Sequence, residues 1–188
     1  NVLWLEAQEG LDQHTAILDP LTKLPTRVEF LNALEEKIEH YKIDPSPFSL
    51  ILVSLNAFQK LSQHGDNREV DQMVLQVAEV IKQETRLPLD TVTRYDAATF
   101  AIILPGAETS TAEVIAQRIC KNSVTQTQLQ STDSIVSIGV AEYPAHLTCG
   151  TDESIQNQIS SILQTTDKAL KTAQQQGNNR ICCAAKIT

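Results

Sequence analysis

Glycine is scarce in this sequence, and long apolar runs are missing altogether. The six glycines lie scattered along 188 residues, so neither a phosphate-cradling P-loop nor a G-x-G-x-x-G turn is present. No stretch reaches the roughly 18 consecutive apolar residues that suggest a bilayer-crossing helix, so no membrane span is expected. The opening Asn1-Val2-Leu3-Trp4-Leu5-Glu6 lacks a basic start followed by an apolar stretch, and it does not read as a secretory signal. Basic charge is short too: 15 Lys and Arg stand against 23 Asp and Glu, a net charge of -8. Such a surface repels phosphate backbones, which argues against a general nucleic-acid partner. The four cysteines, Cys120, Cys149, Cys182 and Cys183, contain no C-x-x-C pair, and two adjacent cysteines make a poor disulfide framework. Thiols at rest in a reducing cytosol are the expectation. Neither these cysteines nor His14, His40, His64 and His146 have zinc-ligand spacing. No metal and no cofactor are expected, and a cytoplasmic location fits this composition.

What is present is a hydrophobic content of 41%, enough for one domain with a proper core. Trp4, Leu11 and Leu18 lie seven apart, with Ala7 and Leu21 as companions. This pattern fits two heptads of a coiled coil, or one amphipathic helix lying on its own domain. Either way, a helix over Leu3–Leu18 should stop near Asp19-Pro20, because proline disfavours helical geometry in the residue before it. A stalk over residues 1–18 and a domain over 19–188 follow, and the start within a helical pattern reads as a fragment of a longer chain.

Beyond Pro20, Thr26 is placed to cap a helix in which Phe30, Leu31, Leu34 and Ile38 carry the helical period to about Tyr41. After Asp44-Pro45-Ser46-Pro47, the apolar run 48–55 reads as a buried strand. A helix is predicted over 70–83, and strands over 91–95 and 100–104 are close enough to form a hairpin. Helix 109–121, strand 135–143, helix 154–175 and strand 180–184 complete the series, with Gly177 placed to end the last helix. Mixed helices and strands around a hairpin indicate an α/β sandwich with a largely antiparallel sheet.

Several local motifs resemble those of the GGDEF family, whose active members are diguanylate cyclases. Asp19-Pro20-Leu21-Thr22-Lys23-Leu24-Pro25-Thr26-Arg27 is similar to D-x-L-T-G-L-x-N-R, and Arg94-Tyr95 through Phe100 to Pro105 frames the signature loop. Ser137-Ile138-Gly139-Val140-Ala141 matches S-I-G-V-A, and the segment from Asp167 to Arg180 is similar to the closing A-D-x-A-L-Y-x-A-K-x-x-G-R-N-R. The resemblance implies a nucleotidyl-cyclase-like fold with a central five-stranded, mostly antiparallel sheet flanked by helices. Active members join two GTP molecules by metal-assisted phosphoryl transfer, which needs carboxylates to hold magnesium against the triphosphate.

Mapped residue by residue, that equipment is replaced. The metal-binding aspartate of the first strand falls on Ser54, within Ser54-Leu55-Asn56-Ala57-Phe58-Gln59. The signature itself falls on Asp96, Ala97, Ala98, Thr99 and Phe100, without either glycine and with Ala98 where a metal ligand belongs. The phosphate-binding lysine and arginine fall on Gln174 and Asn178. Charge-assisted contacts contribute about 1.5–3 kcal/mol each, so losing two costs about 3–6 kcal/mol, or about 10² to 10⁴ in affinity. Of the residues that hold guanine, one maps to Ser62 and the other survives as Asp71, a nucleotide-binding remnant or simply a solvated residue near a helix start. At the product-binding inhibitory motif R-x-x-D, Asp90 is in register but the arginine position is Leu87. Arg86 lies one residue off and is expected to point elsewhere. Asp96 is expected to bond backbone amides and stabilise its turn. The sequence therefore reads as a catalytically inactive signalling module that acts through a protein partner or a homodimer formed by the N-terminal helix. A receptor that holds GTP or cyclic di-GMP without turnover is the alternative.

Overall fold

The computed structural model describes residues 17–56, 58, 67–126, 135–144, 152–177 and 179–184. Within these, helix α1 (Arg27–Ile43) leads to strand β1 (Phe48–Leu55) and helix α2 (Asn67–Glu84). The hairpin of β2 (Thr91–Arg94) and β3 (Thr99–Pro105) is followed by α3 (Thr109–Gln126), β4 (Val136–Tyr143), α4 (Ile155–Gln175) and β5 (Ile181–Cys183). The five strands form one sheet in the order β2-β3-β1-β4-β5. Three of its pairings are antiparallel and only β4–β5 is parallel, as expected from the sequence.

Strand β1 lies at the centre of the sheet, which explains why it is apolar at all but Ser49 and Ser54: both faces of the strand are covered. Phe48, Leu50 and Leu52 face α1 and α4, where Phe30, Leu34, Ile38, Ile159 and Ile162 are buried. Ile51, Val53 and Leu55 face α2 and α3, against Met73, Val74, Val77, Ile81, Ala116 and Ile119. Full burial of one such side chain contributes about 1.5–3 kcal/mol, so this two-sided core holds β1 rigidly. Ser54, next to last in β1, is held between Thr99 of β3 and Ser137 of β4.

The α4 layer approaches the sheet closely at Gly139. A Cβ there would lie 2.4 Å from Leu170 N and 2.5 Å from Thr166 O, so only glycine lets the helix backbone reach the strand. At its far end α4 stops where Gly177 adopts a φ of +109°, and Asn179 (φ 52°) then accepts hydrogen bonds from Ile135 N and Val136 N at 3.0 and 3.3 Å.

Two expectations are corrected. Residues 17 and 18 do not continue a helix: Leu18 forms an antiparallel bridge with Pro25, and Thr26 N donates to Ile17 O at 3.1 Å. Pairing with 24–26 holds this stretch extended, while the rest of the expected stalk, including Trp4 and Leu11, lies outside the described residues. Thr26 is the N-cap residue of α1, but its side chain makes no capping bond. Its backbone bridges Arg94 of β2 instead, and its hydroxyl is buried without a hydrogen-bond partner.

Candidate functional site

Ser54 lies at the C-terminal end of β1, flanked in register by Thr99 of β3 and Ser137 of β4. Its hydroxyl accepts a 3.1 Å hydrogen bond from the Gln174 amide of α4. Two neutral side chains 120 positions apart thus bond each other. Beside them, Asn56 Nδ2 donates to Ser137 Oγ at 2.8 Å. The floor of the site is polar but uncharged, and its amides and hydroxyls pair with one another.

The hairpin loop closes on itself. Asp96 Oδ1 accepts from Ala98 N at 2.8 Å, and both Tyr95 N and Asp96 N donate to Thr99 O, at 2.9 and 3.1 Å. The carbonyl of Ala98 accepts from Leu55 N at 2.8 Å, which ties the loop to the end of β1. Asp96 therefore serves its own turn, as the sequence indicated. Phe100 is fully buried and anchors the start of β3, while Ala97 is exposed.

Arg94 closes the loop from the other side, a contact that sequence reasoning missed although it had singled out the Arg94-Tyr95 frame. Its Nε donates to Asp96 O at 3.0 Å and its Nη2 to Ala97 O. Nη1 lies 3.9 Å from Asp19 Oδ1. Burial pulls the Arg94 pKa down, against the neighbouring charges of Asp19, Asp96 and Asp71. Burial alone would raise Asp19, but bonds from the Thr22 N–H and hydroxyl, both 2.7 Å, and the Arg94 charge hold it below the ordinary value. Tyr95 packs edge-on against Phe30, with centroids 5.4 Å apart, and lies under the Arg27 guanidinium at 4.6 Å.

The remaining sequence candidates fall elsewhere. Asp71 is exposed on α2, and Ser62 and Asn178 lie outside the described residues. Asp90 is buried, and the expectation that the one-residue offset directs Arg86 away from it does not hold. Arg86 Nη2 reaches Asp90 Oδ1 at 2.8 Å, Nε reaches Oδ2 at 3.2 Å, and Arg86 N donates to Oδ2 at 2.6 Å. The reason is the turn: Leu89 N and Asp90 N both donate back to Arg86 O, which folds residue 86 over residue 90. Leu87 is 49% exposed and makes no such pair.

Ser54 and Ala98, which the sequence resemblance aligns with metal carboxylates, carry no ionisable group. Among the described residues, no three His, Cys, Asp or Glu side chains come together. No helix among them is long and apolar enough to cross a membrane.

Comparison with known proteins agrees with the motifs. The diguanylate cyclase GGDEF domain model matches residues 16–180. The bifunctional diguanylate cyclase/cyclic di-GMP phosphodiesterase MucR of Pseudomonas aeruginosa is 26% identical over 169 residues, 89% of this chain and 23% of MucR. Diguanylate cyclase A of Treponema denticola is 28% identical over 171 residues, 87% of this chain and 43% of that protein. The chain thus spans less than half the length of either relative. The GGDEF domain of TpbB (YfiN) from Pseudomonas aeruginosa superposes with a TM-score of 0.76 at 22% identity, covering 90% of this chain and 95% of that one. The coiled coil and GGDEF domain of DgcB from Caulobacter crescentus, solved with cyclic di-GMP, also gives 0.76, at 23% identity over 97% and 93%. Diguanylate cyclase SiaD from Pseudomonas aeruginosa, solved with its activator SiaC, gives 0.76 at 21% identity over 97% and 67%. The chain belongs to the GGDEF family, the diguanylate cyclase domain of cyclic di-GMP signalling proteins.

Proposed function

We propose that this GGDEF domain does not make cyclic di-GMP and acts as a signalling module through a protein partner or a second copy of itself. The observation that carries this reading is the Ser54–Gln174 hydrogen bond. Two neutral side chains satisfy each other where metal-assisted phosphoryl transfer needs a carboxylate and a cation. The closed 96–99 loop supports it, because the Ala98 amide is already bonded to Asp96. The residues before 17, where the sequence predicts a helix, would give such a module an input side. A protein partner is in keeping with SiaD, which was solved with its activator.

One observation favours a second reading, a nucleotide receptor. Arg86 and Asp90 come together despite their one-residue offset from R-x-x-D, and DgcB was solved with cyclic di-GMP. Against it, both Asp90 carboxylate oxygens are already bonded to Arg86. Thermal unfolding separates the two readings. A ligand at about 100 times its Kd stabilises by about 2.7 kcal/mol. The module reading predicts no shift with millimolar GTP and magnesium or with cyclic di-GMP. A saturable rise in Tm with either one establishes the receptor.

A further inference from the structure

The chain before Asp19 and the loop 96–99 are distant in sequence, yet one half-buried side chain touches both of their anchors. The leading turn, residues 19–26, is a closed unit. Asp19 N donates to Leu24 O at 2.8 Å, Lys23 N to Asp19 O at 2.9 Å, and Thr22 bonds the Asp19 carboxylate through its N–H and its hydroxyl. This unit is fastened to β2 through the Arg94 N bond to Pro25 O, 2.8 Å, and the Thr26–Arg94 bridge. From the same residue the guanidinium runs on into the loop, where it holds the carbonyls of Asp96 and Ala97. The side chain is 10% exposed and lies over the Phe100 ring at 5.5 Å, so it has little room to swing free.

The strut is incompletely engaged at one end. Arg94 Nη1 is buried with no hydrogen-bond partner, and the nearest carboxylate oxygen, Asp19 Oδ1, is 3.9 Å away. A shift of the leading turn by about 1 Å toward Arg94 would complete a charge-assisted bond of about 2.7–2.9 Å. A shift the other way would leave Nη1 without a partner, as it is now, and weaken its attraction to the Asp19 carboxylate. Displacement of the leading turn would therefore change how the guanidinium is engaged, and the same guanidinium holds the carbonyls of Asp96 and Ala97 in the loop.

We infer that Arg94 is a positioning residue that transmits displacement of the leading turn to loop 96–99. The proposal deepens the signalling-module reading, on which it rests, by naming the route from the N-terminal side to the degenerate signature. By linkage, the coupling must act equally in both directions.

The test is amide hydrogen exchange on the 188-residue chain, read by NMR. Asp19→Asn, which removes the carboxylate charge 3.9 Å from Arg94, should speed exchange at Tyr95, Asp96 and Ala98 at least threefold, with the β3 amides of Ile102 and Ile103 unchanged. In reverse, Asp96→Ala should speed exchange at Thr22 and Lys23 to a similar extent. In an Arg94→Lys background, or Arg94→Gln if the lysine variant does not fold, Asp19→Asn should be silent at the loop. The proposal is overturned if Asp19→Asn loosens only residues 19–26, or if loop and β3 amides speed up together. It is equally overturned if the loop responds to the same degree without Arg94. Exchange rates are independent of product formation, so cyclic di-GMP synthesis would remove the module reading while leaving the coupling to be decided by this measurement.

Discussion

Replacing Gly139 by alanine tests whether the register of α4 on the sheet builds the site. The added Cβ would sit 2.4 Å from Leu170 N and 2.5 Å from Thr166 O, where ordinary contact begins at 3.4 Å. Both neighbours are helix backbone, so no side chain can rotate away, and α4 must move off β4 by about 1 Å. Overpacking of this kind costs about 1–3 kcal/mol, and a clash with backbone belongs near the top of that range. Alanine returns about 0.5–1 kcal/mol, because glycine in a strand interior is itself unfavourable. The net loss should be about 1.5–2.5 kcal/mol, or about 3–10 °C in Tm for a chain of this size. Urea unfolding followed by far-UV circular dichroism reads the first number and a thermal scan reads the second. The same displacement should lengthen the 3.1 Å Gln174–Ser54 bond, visible as a chemical-shift change at the Gln174 side-chain amide. A variant within about 0.5 kcal/mol of the parent, with that resonance unmoved, would refute the close-approach argument.

Four further outcomes follow. Lys23 adopts a φ of 58° where the family motif has glycine. Lys23→Gly should raise stability by about 0.5–1 kcal/mol in urea unfolding, because relief of about 1–2 kcal/mol of left-handed strain exceeds the entropy cost of glycine. The depressed Asp19 pKa means that this carboxylate contributes stability fully above its ordinary value of 3.8 and loses it as pH falls through the lower folded value. Asp19→Asn should therefore flatten the acid arm of stability against pH, measured from pH 2 to 6. Arg86→Ala removes both guanidinium bonds to the buried Asp90 carboxylate and leaves it the backbone N–H of residue 86; allowing for the 58% exposure of the arginine, unfolding should show a loss of about 1–2 kcal/mol. If residues 1–14 mediate self-association, sedimentation of the intact chain will show a concentration-dependent mass that a chain starting at Thr15 lacks, and equal behaviour of the two would locate the contact elsewhere.

Much of the fold was legible because its signals are local. Strand 48–55 was placed to the residue, since a run buried on both faces is mostly apolar, here at all but Ser49 and Ser54. Boundaries slipped where burial gives no period. Helix α2 starts at Asn67 rather than Val70, because Asn67, Arg68 and Glu69 form a polar first turn. Helix α3 runs five residues past 121 through Asn122, Ser123 and Thr125, of which the buried Ser123 carries no apolar mark. The site was legible as a set of substitutions but not as a set of contacts. Ser54 and Gln174 each read as replacements in the sequence, yet their mutual hydrogen bond depends on how α4 packs across Gly139. Arg86 was misplaced for the opposite reason: a straight-chain direction was assumed where the chain turns back on itself. Arg94 was noted only as part of a motif, and its role emerges once the leading turn and the hairpin lie side by side.

Whether this domain makes cyclic di-GMP is decided by incubating the purified chain at high concentration with GTP and magnesium or manganese and separating the products by chromatography. No cyclic di-GMP above a protein-free control is the expected result, and Ala98→Glu alone should leave it unchanged because Ser54, Gln174 and Asn178 remain. Product that accumulates in proportion to the unmodified protein would contradict the account.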